Sequence, residues 1–492
     1  MYYIGIDLGT SAVKLLLVNE KGEIVRSVSK DYPLYFPASG WSQQEPSDWW
    51  KAVSEGLDEL LEKVSRSEVR TIGCGGQMHG LVILDENDEV IRPCILWNDG
   101  RTDKQTAYLN EVIGKDKLNG YTANIAFAGF TAPKILWVRD NEPENFKRIR
   151  KIMLPKDYIN YLLTGVFSSD YSDASGTLLL DVKNKCWSKE MLKICSLKEE
   201  QLPKLYESYE VTGTLKKDVA ERFGLDPQVK VVAGAGDNAA AAIGTGTVRD
   251  GSCNISLGTS GTVFICSDTF KENRNNAIHN FAHANGKYHL MGCILSAASC
   301  NKWFCEEVLK NNDYQSLQEE ISNEMLGRND VYFLPYLMGE RSPINDTDAR
   351  GMFIGMDMSS SRSDMYLAVL EGVAFAIRDC LEVAKELGID IEVSKICGGG
   401  SKSSLWRKII ANVLGIRLAI PVSEEGPGYG AAMLGMAADG LYESVEDCAD
   451  DLVRVKGYEE TDEELVRRYE ERYAKFRKIY PSVKQLFKQL QK

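Results

Sequence analysis

The sequence predicts an α/β protein built from two similar domains. Its 492 residues exceed the roughly 250 to 300 over which one hydrophobic core grows. Strand-like segments alternate with helical ones along the chain. The tetrapeptide LGTS occurs at 8–11 and again at 257–260, each time between two apolar strand-like runs. We therefore expect duplicated domains over 1–240 and 241–492.

The first domain opens with strands. The runs "YYIGID" and "AVKLLLV" predict two strands joined by a tight turn at Gly9, and "GEIVRSVSKDYPLYF" extends them into an antiparallel set. The periodicity then becomes helical in "PSDWWKAVSEGLDELLEKV", for which Ser47 is a suitable N-cap. The apolar "VRTIGCGG" at 69–76 predicts the next strand.

The second half repeats this order. "SCNISLGTSGTVFIC" predicts strand, turn and strand, and "SDMYLAVLEGVAFAIRDCLEVAKELG" predicts a long buried helix. "VSKICGGGSKSSLWRKIIANVLG" predicts a strand, a glycine loop and a helix. The small residues at 233–248 suit a crossover between the domains, and the charged amphipathic stretch 462–492 is expected to form a surface helix.

Composition excludes several classes of function. The 58 basic and 71 acidic residues give a net charge of −13, which would repel a nucleic-acid backbone. The 12 cysteines form no CxxC pair and the chain has only 4 histidines, so neither a zinc knuckle nor a disulfide framework is indicated. Without a signal-like or membrane-spanning run, we expect a cytoplasmic protein with reduced thiols and no membrane partner.

The repeated turn has the chemistry of an anion site. A Gly-Thr-Ser turn presents backbone N–H groups and two hydroxyls to one small volume, so two copies could clamp a polyphosphate. The alternative is that each is simply a turn. Asp7 precedes the first copy whereas Ser256 precedes the second. Because a carboxylate would repel phosphate unless a hard cation intervened, Asp7 is predicted to organise magnesium.

Other nucleotide motifs are absent or incomplete. The sequence contains no GxxxxGK[ST], and neither "GAGDNAAAAIG" nor "GGGSKSSLW" follows the GxGxxG pattern. Gly398, Gly399 and Gly400 precede a predicted helix, where backbone can approach a ligand closely. That loop alone is weak evidence.

Two longer stretches carry a family resemblance. "GFTAPKILWVRDN" at 129–141 and "GMFIGMDMSSSRSDMYLAVLE" at 351–371 resemble the two signatures of the FGGY carbohydrate kinases. The resemblance covers nearly the whole chain. It implies two duplicated ATPase domains of the actin, hexokinase and Hsp70 type, which is ribonuclease H-like, around a central cleft.

Shorter motifs are similar to those of the branch that phosphorylates D-xylulose to D-xylulose 5-phosphate. They are "GGQMHGLVILD", "ILWNDGR", "LPKDYINYLLTG", "SDYSDASGTLLLD" and "GAGDNAAAAIG". Glycerol kinases have an Arg-Glu pair where this chain has Met78 and His79. Ala12 and the stretch 425–433 depart conservatively from the family pattern. L-ribulose or gluconate remains an alternative substrate, and an actin-like or Hsp70-like ATPase is a remote one.

The resemblance also implies the roles of individual residues. Asp237 would be the catalytic base, which suits a sugar hydroxyl because that group is a poor nucleophile until it loses its proton. The alternative from the residues alone is that Asp237 caps the following helix. Met78, His79 and Asn238 would bind the sugar beside Asp237.

ATP would lie between the domains. Its phosphates would meet Thr10, Ser11, Gly258 and Thr259, with Mg²⁺ near Asp7. The adenosine would meet Gly399, Gly400 and Ser403.

Three further points stay open at this stage. Trp97 either closes the wall of the sugar pocket or lies in the core. Glu340 and Arg341 form either a structural ion pair or a nucleotide contact. A homodimer is a family-level expectation only.

Overall fold

The computed structural model describes residues 1–423 and 425–490. Two seven-stranded sheets dominate it, and their strands are numbered here in chain order. The first sheet contains β1 (Tyr2–Leu8), β2 (Ala12–Asn19), β3 (Ile24–Asp31), β4 (Val69–Gly76), β5 (Val211–Thr214), β6 (Lys230–Val232) and β7 (Ala235–Gly236). The second contains β8 (Cys253–Leu257), β9 (Gly261–Ser267), β10 (His279–Ala282), β11 (Tyr288–Ile294), β12 (Val393–Cys397), β13 (Arg417–Pro421) and β14 (Val455–Glu459).

The two sheets share a central pattern. The strand order is β5-β6-β4-β1-β2-β3 in the first, with β7 also pairing with β4, and β10-β11-β9-β8-β12-β13-β14 in the second. In each, an antiparallel hairpin pairs through its first strand with a parallel neighbour: β1 with β4, and β8 with β12. The predicted α/β architecture with a repeated strand–turn–strand unit is confirmed.

Eight principal helices lie in the part of the chain that the structure describes. They are α1 (Pro46–Leu60), α2 (Thr131–Asn141), α3 (Pro155–Thr164), α4 (Asp237–Gly244), α5 (Arg362–Glu386), α6 (Ser404–Leu414), α7 (Pro427–Ala438) and α8 (Glu463–Leu490). Shorter helices are Asp103–Ala107, Lys115–Thr122, Pro143–Arg148, Tyr171–Ala174, Lys189–Cys195, Lys217–Phe223, Ala298–Trp303, Tyr314–Glu319 and Val445–Leu452. Within 1–423 and 425–490, no helix combines the length and apolarity needed to cross a membrane.

Five small strand pairs lie outside the main sheets. They are Gln43–Gln44 with Cys94–Ile95, Val82–Leu84 with Lys151–Met153, Ser168–Asp170 with Lys204–Tyr206, Leu180–Asp181 with Cys186–Trp187, and Tyr332–Leu334 with Met352–Ile354.

The two LGTS hairpins differ in pairing. Leu8 pairs with Val13, so four residues lie between the paired positions of the first hairpin. Leu257 pairs with Gly261, which leaves three residues in the second. The repeated sequence therefore folds into two related turns with different spans.

Helix α7 joins the two halves of the chain. It lies against β1 and β4 of the first sheet although it follows the second-sheet strand β13. A Cβ on Gly5 would overlap the carbonyl oxygen of Gly428, and one on Gly73 would overlap that of Ala431. Glycine in β1 and β4 thus permits the close approach of helix and sheet, and the small residues of 425–433 have the same purpose.

Two expectations about helices need correction. Helix α1 begins at Pro46 with Glu45 as its N-cap residue, so Ser47 lies inside the first turn and is not the cap. Proline suits the first helical position because the N–H it lacks would be unpaired there. Helix α8 is a surface helix on its charged face only, since Tyr469, Tyr473 and Phe476 are buried in the core around α5.

Candidate active site

The first LGTS turn has its carbonyl groups occupied from inside the protein. The Gly9 carbonyl accepts a hydrogen bond from the Tyr32 hydroxyl, and the Ser11 carbonyl accepts one from the Tyr32 N–H at 3.1 Å. The Thr10 carbonyl accepts one from Gln44 Nε2 at 2.7 Å. Among the described residues, the N–H groups of Thr10 and Ser11 make no hydrogen bond. The turn therefore offers the N–H groups of Thr10 and Ser11 as donors, as an anion site requires.

The second turn has the same polarity. The Gly258 carbonyl accepts the N–H of Ala298 at 2.9 Å, and the Thr259 carbonyl accepts the Ser299 hydroxyl at 2.8 Å. Both carbonyls thus accept hydrogen bonds from the first residues of the helix Ala298–Trp303. The Thr259 side chain is exposed.

Asp7 and Asp237 lie at the carboxyl ends of strands β1 and β7 of the first sheet. Asp7 lies near the end of β1, and Asp237 begins helix α4 directly after β7. Burial raises the pKa of Asp7 to about 7, and the negative charge of Asp237 contributes to that rise. Burial also raises the pKa of Asp237 to about 6. Burial and like charge disfavour two ionised carboxylates near each other, so binding of a proton or a cation there is favoured.

The local structure holds one oxygen of Asp237. Its Oδ1 accepts the backbone N–H of Asn238 at 2.7 Å and the Asn238 Nδ2 at 2.8 Å. Oδ2 has no hydrogen-bond donor among the described residues, so it is the oxygen available to a substrate hydroxyl. The N-cap residue of α4 is Gly236, so Asp237 is the first residue of the helix.

The loop with Met78 and His79 lies against the same place. A Cβ on Gly236 would be 3.0 Å from Met78 Cγ, which places Met78 next to the residue before Asp237. His79 has φ = +71°, an unusual backbone conformation for a residue other than glycine. Its Nδ1 lies 2.7 Å from the Gly176 carbonyl, which can only accept, so Nδ1 carries the hydrogen and Nε2 is an acceptor.

Lys134 supports the strained backbone of His79. Its ammonium donates to the carbonyls of His79 and Gly129, both at 2.7 Å. Burial lowers the pKa of Lys134 to about 7. Burial, with the nearby Lys134 charge, lowers the pKa of His79 to about 3, so its imidazole is neutral at physiological pH. Phe130 stacks on the His79 ring with centroids 4.7 Å apart.

A buried cluster of charged side chains is connected by hydrogen bonds to the residue before Asp237. Lys156 Nζ is 2.7 Å from Asp157 and 2.9 Å from Asp170, and all three side chains are buried. Asp170 Oδ2 accepts the Ser172 hydroxyl at 2.5 Å, and the Ser172 oxygen accepts the Gly236 N–H at 3.2 Å. This chain of contacts anchors the backbone immediately before Asp237.

The glycine loop borders a cavity of about 780 Å³. Gly399, Gly400 and Ser403 line it together with Thr259 of the second turn. The Ser403 hydroxyl donates to Gln318 Oε1 at 2.6 Å and accepts the Trp406 N–H at 3.0 Å. Ser403 therefore caps helix α6, and its hydrogen is already used within the protein.

The structure excludes one of the two alternatives for Trp97 and one of the two for the pair Glu340 and Arg341. Trp97 is 42% exposed, so the core alternative is wrong, and its Nε1 donates to Thr10 Oγ1 at 3.0 Å. Glu340 and Arg341 form no salt bridge in the part of the chain that the structure describes. Glu340 Oε1 instead accepts the N–H groups of Leu295 and Arg341, both at 2.8 Å. The ion-pair alternative is therefore wrong, and the nucleotide contact stays a prediction.

Sequence reasoning missed three supporting residues: Gln44, Lys134 and Gly176. Gln44 donates to the Thr10 carbonyl and accepts the Gln77 side-chain amide at 3.0 Å, so it contacts both the first LGTS turn and the residue before Met78. Lys134 could have been identified from the sequence, because a lysine within an otherwise apolar helical stretch needs hydrogen-bond acceptors inside the protein. Gln44 and Gly176 gave no such signal, since their partners are distant in sequence.

Comparison with known proteins agrees with this arrangement. The models for the N-terminal and C-terminal domains of the FGGY family of carbohydrate kinases match residues 2–244 and 253–438. The chain is 40% identical to the xylulose kinase of Escherichia coli strain K12 over 480 residues, covering 97% of this chain and 98% of the relative.

Solved structures show the same fold. A xyloylose kinase from Brucella ovis is similar with a TM-score of 0.94 and 40% identity, covering 99% of this chain and all of that one. A gluconate kinase from Lactobacillus acidophilus has a TM-score of 0.93 at 26% identity, with 98% of each chain covered. The actin- and hexokinase-like fold expected from the sequence is confirmed. Both domain models and the near-complete coverage show that the chain belongs to the FGGY family of carbohydrate kinases.

Proposed function

We propose that this kinase transfers the terminal phosphoryl group of ATP to the C5 hydroxyl of D-xylulose. The observation that carries the proposal is the position of Asp237, which directly follows Gly236 beside Met78 and lies close enough to Asp7, at the base of the first LGTS turn, for the two charges to interact. A base in that position can take the proton of a sugar hydroxyl while the same oxygen attacks a phosphate held by the turn. The xylulose kinase relatives support the choice of sugar.

The proton moves to Asp237 Oδ2 as the new phosphorus–oxygen bond forms. The bond from the terminal phosphorus to the bridging oxygen breaks, and ADP leaves with that oxygen. Asn238 holds Oδ1, which keeps the carboxylate oriented for the hydroxyl. A base with a pKa near 6 is ionised at neutral pH and still basic enough to accept a proton in the transition state.

His79, Met78 and Asn238 would bind the ketose. The neutral imidazole of His79 presents Nε2 as an acceptor for a sugar hydroxyl, since Nδ1 is engaged with Gly176. Met78 supplies an apolar wall beside Gly236. An acceptor next to an apolar wall suits an uncharged polyol better than an acidic sugar.

Thr10, Ser11, Gly258 and Thr259 would bind the phosphates through hydroxyl and N–H donors. The adenosine would occupy the cavity lined by Gly399, Gly400 and Ser403. Ser403 would contact the adenosine through atoms other than its hydroxyl hydrogen, because that hydrogen is already donated to Gln318.

Mg²⁺ fits beside Asp7. The described residues contain no group of three or more metal-binding side chains, and magnesium in kinases is held by one or two carboxylates, waters and the phosphates themselves. Burial and the negative charge of Asp237 raise the pKa of Asp7, and a bound cation would offset both effects. When bound, the ion would neutralise charge on the phosphate oxygens.

The domain division also remains a proposal. The main-sheet strands up to Gly236 belong to the first sheet and those from Cys253 onward belong to the second, which supports a boundary near residue 240. Helix α7 then contributes to the first domain from the second half of the chain. The predicted homodimer stays a prediction.

The test is ADP release by the purified protein with ATP and magnesium over a panel of sugars. The panel contains D-xylulose, L-xylulose, D-ribulose, L-ribulose, gluconate and glycerol. We expect the highest kcat/KM with D-xylulose. A higher value with gluconate or L-ribulose would keep the kinase mechanism and overturn the assignment of the pocket.

The catalytic base is tested separately. Asp237→Asn should abolish turnover while sugar binding stays measurable by calorimetry, because the amide keeps the shape of the side chain but cannot accept the proton. Asp218→Asn, on an exposed helix, is the matched control and should retain full activity. Unchanged turnover in Asp237→Asn would remove Asp237 from this role.

A further inference from the structure

Trp97 makes a side-chain hydrogen bond to the first LGTS turn. Its Nε1 donates to Thr10 Oγ1 at 3.0 Å, across 87 positions of sequence. The tryptophan follows the small strand Cys94–Ile95, and its ring is 42% exposed. A half-exposed tryptophan with its polar atom bound to a proposed phosphate ligand is not explained by core packing.

The chemistry of the two groups defines the direction of the bond. An indole N–H can only donate, whereas a hydroxyl has one hydrogen and two acceptor positions. The Thr10 oxygen therefore accepts from Trp97, and its own hydrogen is left for another acceptor. Because the three carbonyls of this turn already accept internal hydrogen bonds, an external anionic oxygen is the partner that suits the hydroxyl hydrogen.

The backbone of Trp97 is also fixed. A Cβ on Gly129 would lie 2.5 Å from the Trp97 carbonyl oxygen, so the two segments are in close contact. The Gly129 carbonyl and the His79 carbonyl both accept from Lys134. Trp97 thus connects the segment that supports the proposed sugar loop with the hydroxyl of the proposed phosphate turn.

We propose that Trp97 is a positioning residue whose indole N–H orients the Thr10 hydroxyl as a donor to the terminal phosphoryl group of the nucleotide. This inference rests on the proposed function of the turn. Thr10 touches the nucleotide, and Trp97 acts through Thr10. The consequence is that removal of one N–H group weakens the use of ATP without a change in the charge of the site.

The test variant is Trp97→Phe, which keeps an aromatic ring and removes the N–H. We expect kcat/KM for ATP to fall about three- to tenfold, the value of one hydrogen bond, while KM for the sugar is unchanged. Trp187→Phe is the matched control, because it removes an indole hydrogen bond to the Pro203 carbonyl in a small hairpin elsewhere. It should retain wild-type kinetics.

A double-mutant cycle separates positioning from a general structural effect. Thr10→Val removes the hydroxyl that Trp97 orients, so Trp97→Phe should add nothing in that background. Thr10→Ser keeps the hydroxyl, so there Trp97→Phe should remain costly. Additive losses with Thr10→Val would overturn the proposal.

Binding of a non-hydrolysable ATP analogue with magnesium, measured by calorimetry, needs no sugar turnover. Trp97→Phe should weaken it by the same factor. Equal affinity in the variant and the wild type would overturn the inference even if the sugar assay succeeds. Absence of turnover with every sugar would refute the proposed function and leave the calorimetric result to decide on Trp97.

Discussion

Acid should abolish sugar phosphorylation with a midpoint near pH 6, because the proposed base must be ionised to accept a proton. The pKa of Asp237 is raised from 3.8 to about 6 by burial. At pH 5 about one-tenth of such a carboxyl group is ionised, whereas more than about nine-tenths would be if the pKa were unshifted. We therefore expect kcat/KM for the sugar to be about tenfold lower at pH 5 than at neutral pH.

The assay measures initial ADP release from about pH 8 to about pH 4.5 at saturating magnesium nucleotide and low sugar concentration. Saturation is needed because the pKa of Asp7 is raised to about 7, and a bound cation keeps that group ionised across the range. Protein returned from acid to neutral pH must recover full activity, which excludes unfolding. A value of kcat/KM that stays constant down to pH 5 would refute the reasoning.

Asn238 provides an independent check of the cause. Its Nδ2 donates to Asp237 Oδ1 at 2.8 Å, and a hydrogen bond to the ionised form lowers the pKa. Asn238→Ala should therefore move the acid midpoint upward by about one unit, since one unit corresponds to about 1.4 kcal/mol and a charged hydrogen bond has a similar value. Asn184→Ala removes a comparable bond to Asp181 in an exposed turn and should leave the midpoint unchanged.

Three further substitutions test the surroundings of the site. Asp7→Asn should raise the magnesium concentration needed for half-maximal rate, and an unchanged magnesium dependence would contradict the metal assignment. Lys134→Met leaves the buried Gly129 carbonyl without its donor and removes one donor from the His79 carbonyl, which keeps the Thr131 hydroxyl at 3.1 Å, so sugar KM should rise and urea unfolding should show a loss of about 1 to 3 kcal/mol. Gly5→Ala should lower stability by about 1 to 3 kcal/mol in thermal denaturation, because its Cβ would overlap the Gly428 carbonyl, whereas Gly120→Ala, with open space around it, should not.

Much of the fold could be predicted because its signals are local. Short apolar runs predicted β1, β2 and β4, and a long apolar segment predicted α5. Gly5 and Gly73 did not by themselves predict a helix packed on the sheet, because α7, the helix that contacts them, lies more than 350 residues further along the chain. The buried face of α8 was similarly hidden, since its charged residues dominate the composition.

The same distinction holds for the candidate site. Thr10 could be proposed because the repeated turn has recognisable chemistry, whereas the roles of His79 and Asp237 followed from the family resemblance of their motifs. The left-handed backbone of His79 and its support by Lys134 depend on tertiary contacts that no local pattern encodes. Trp97 was ambiguous for the same reason, since an aromatic residue after an apolar strand is common in cores.

The repeated LGTS sequence supplies the same donors at two places, and the residue before each copy makes them different. Internal donors occupy the three carbonyls of Gly9, Thr10 and Ser11 in the first turn and the carbonyls of Gly258 and Thr259 in the second, so both turns are suited to anionic oxygens. Asp7 precedes the first turn and lies near Asp237, whereas Ser256 adds no charge to the second. We infer that the first turn receives the phosphoryl group that is transferred, because only there can a carboxylate organise magnesium beside the base. The second turn would bind the remaining phosphates, for which a neutral set of donors is sufficient.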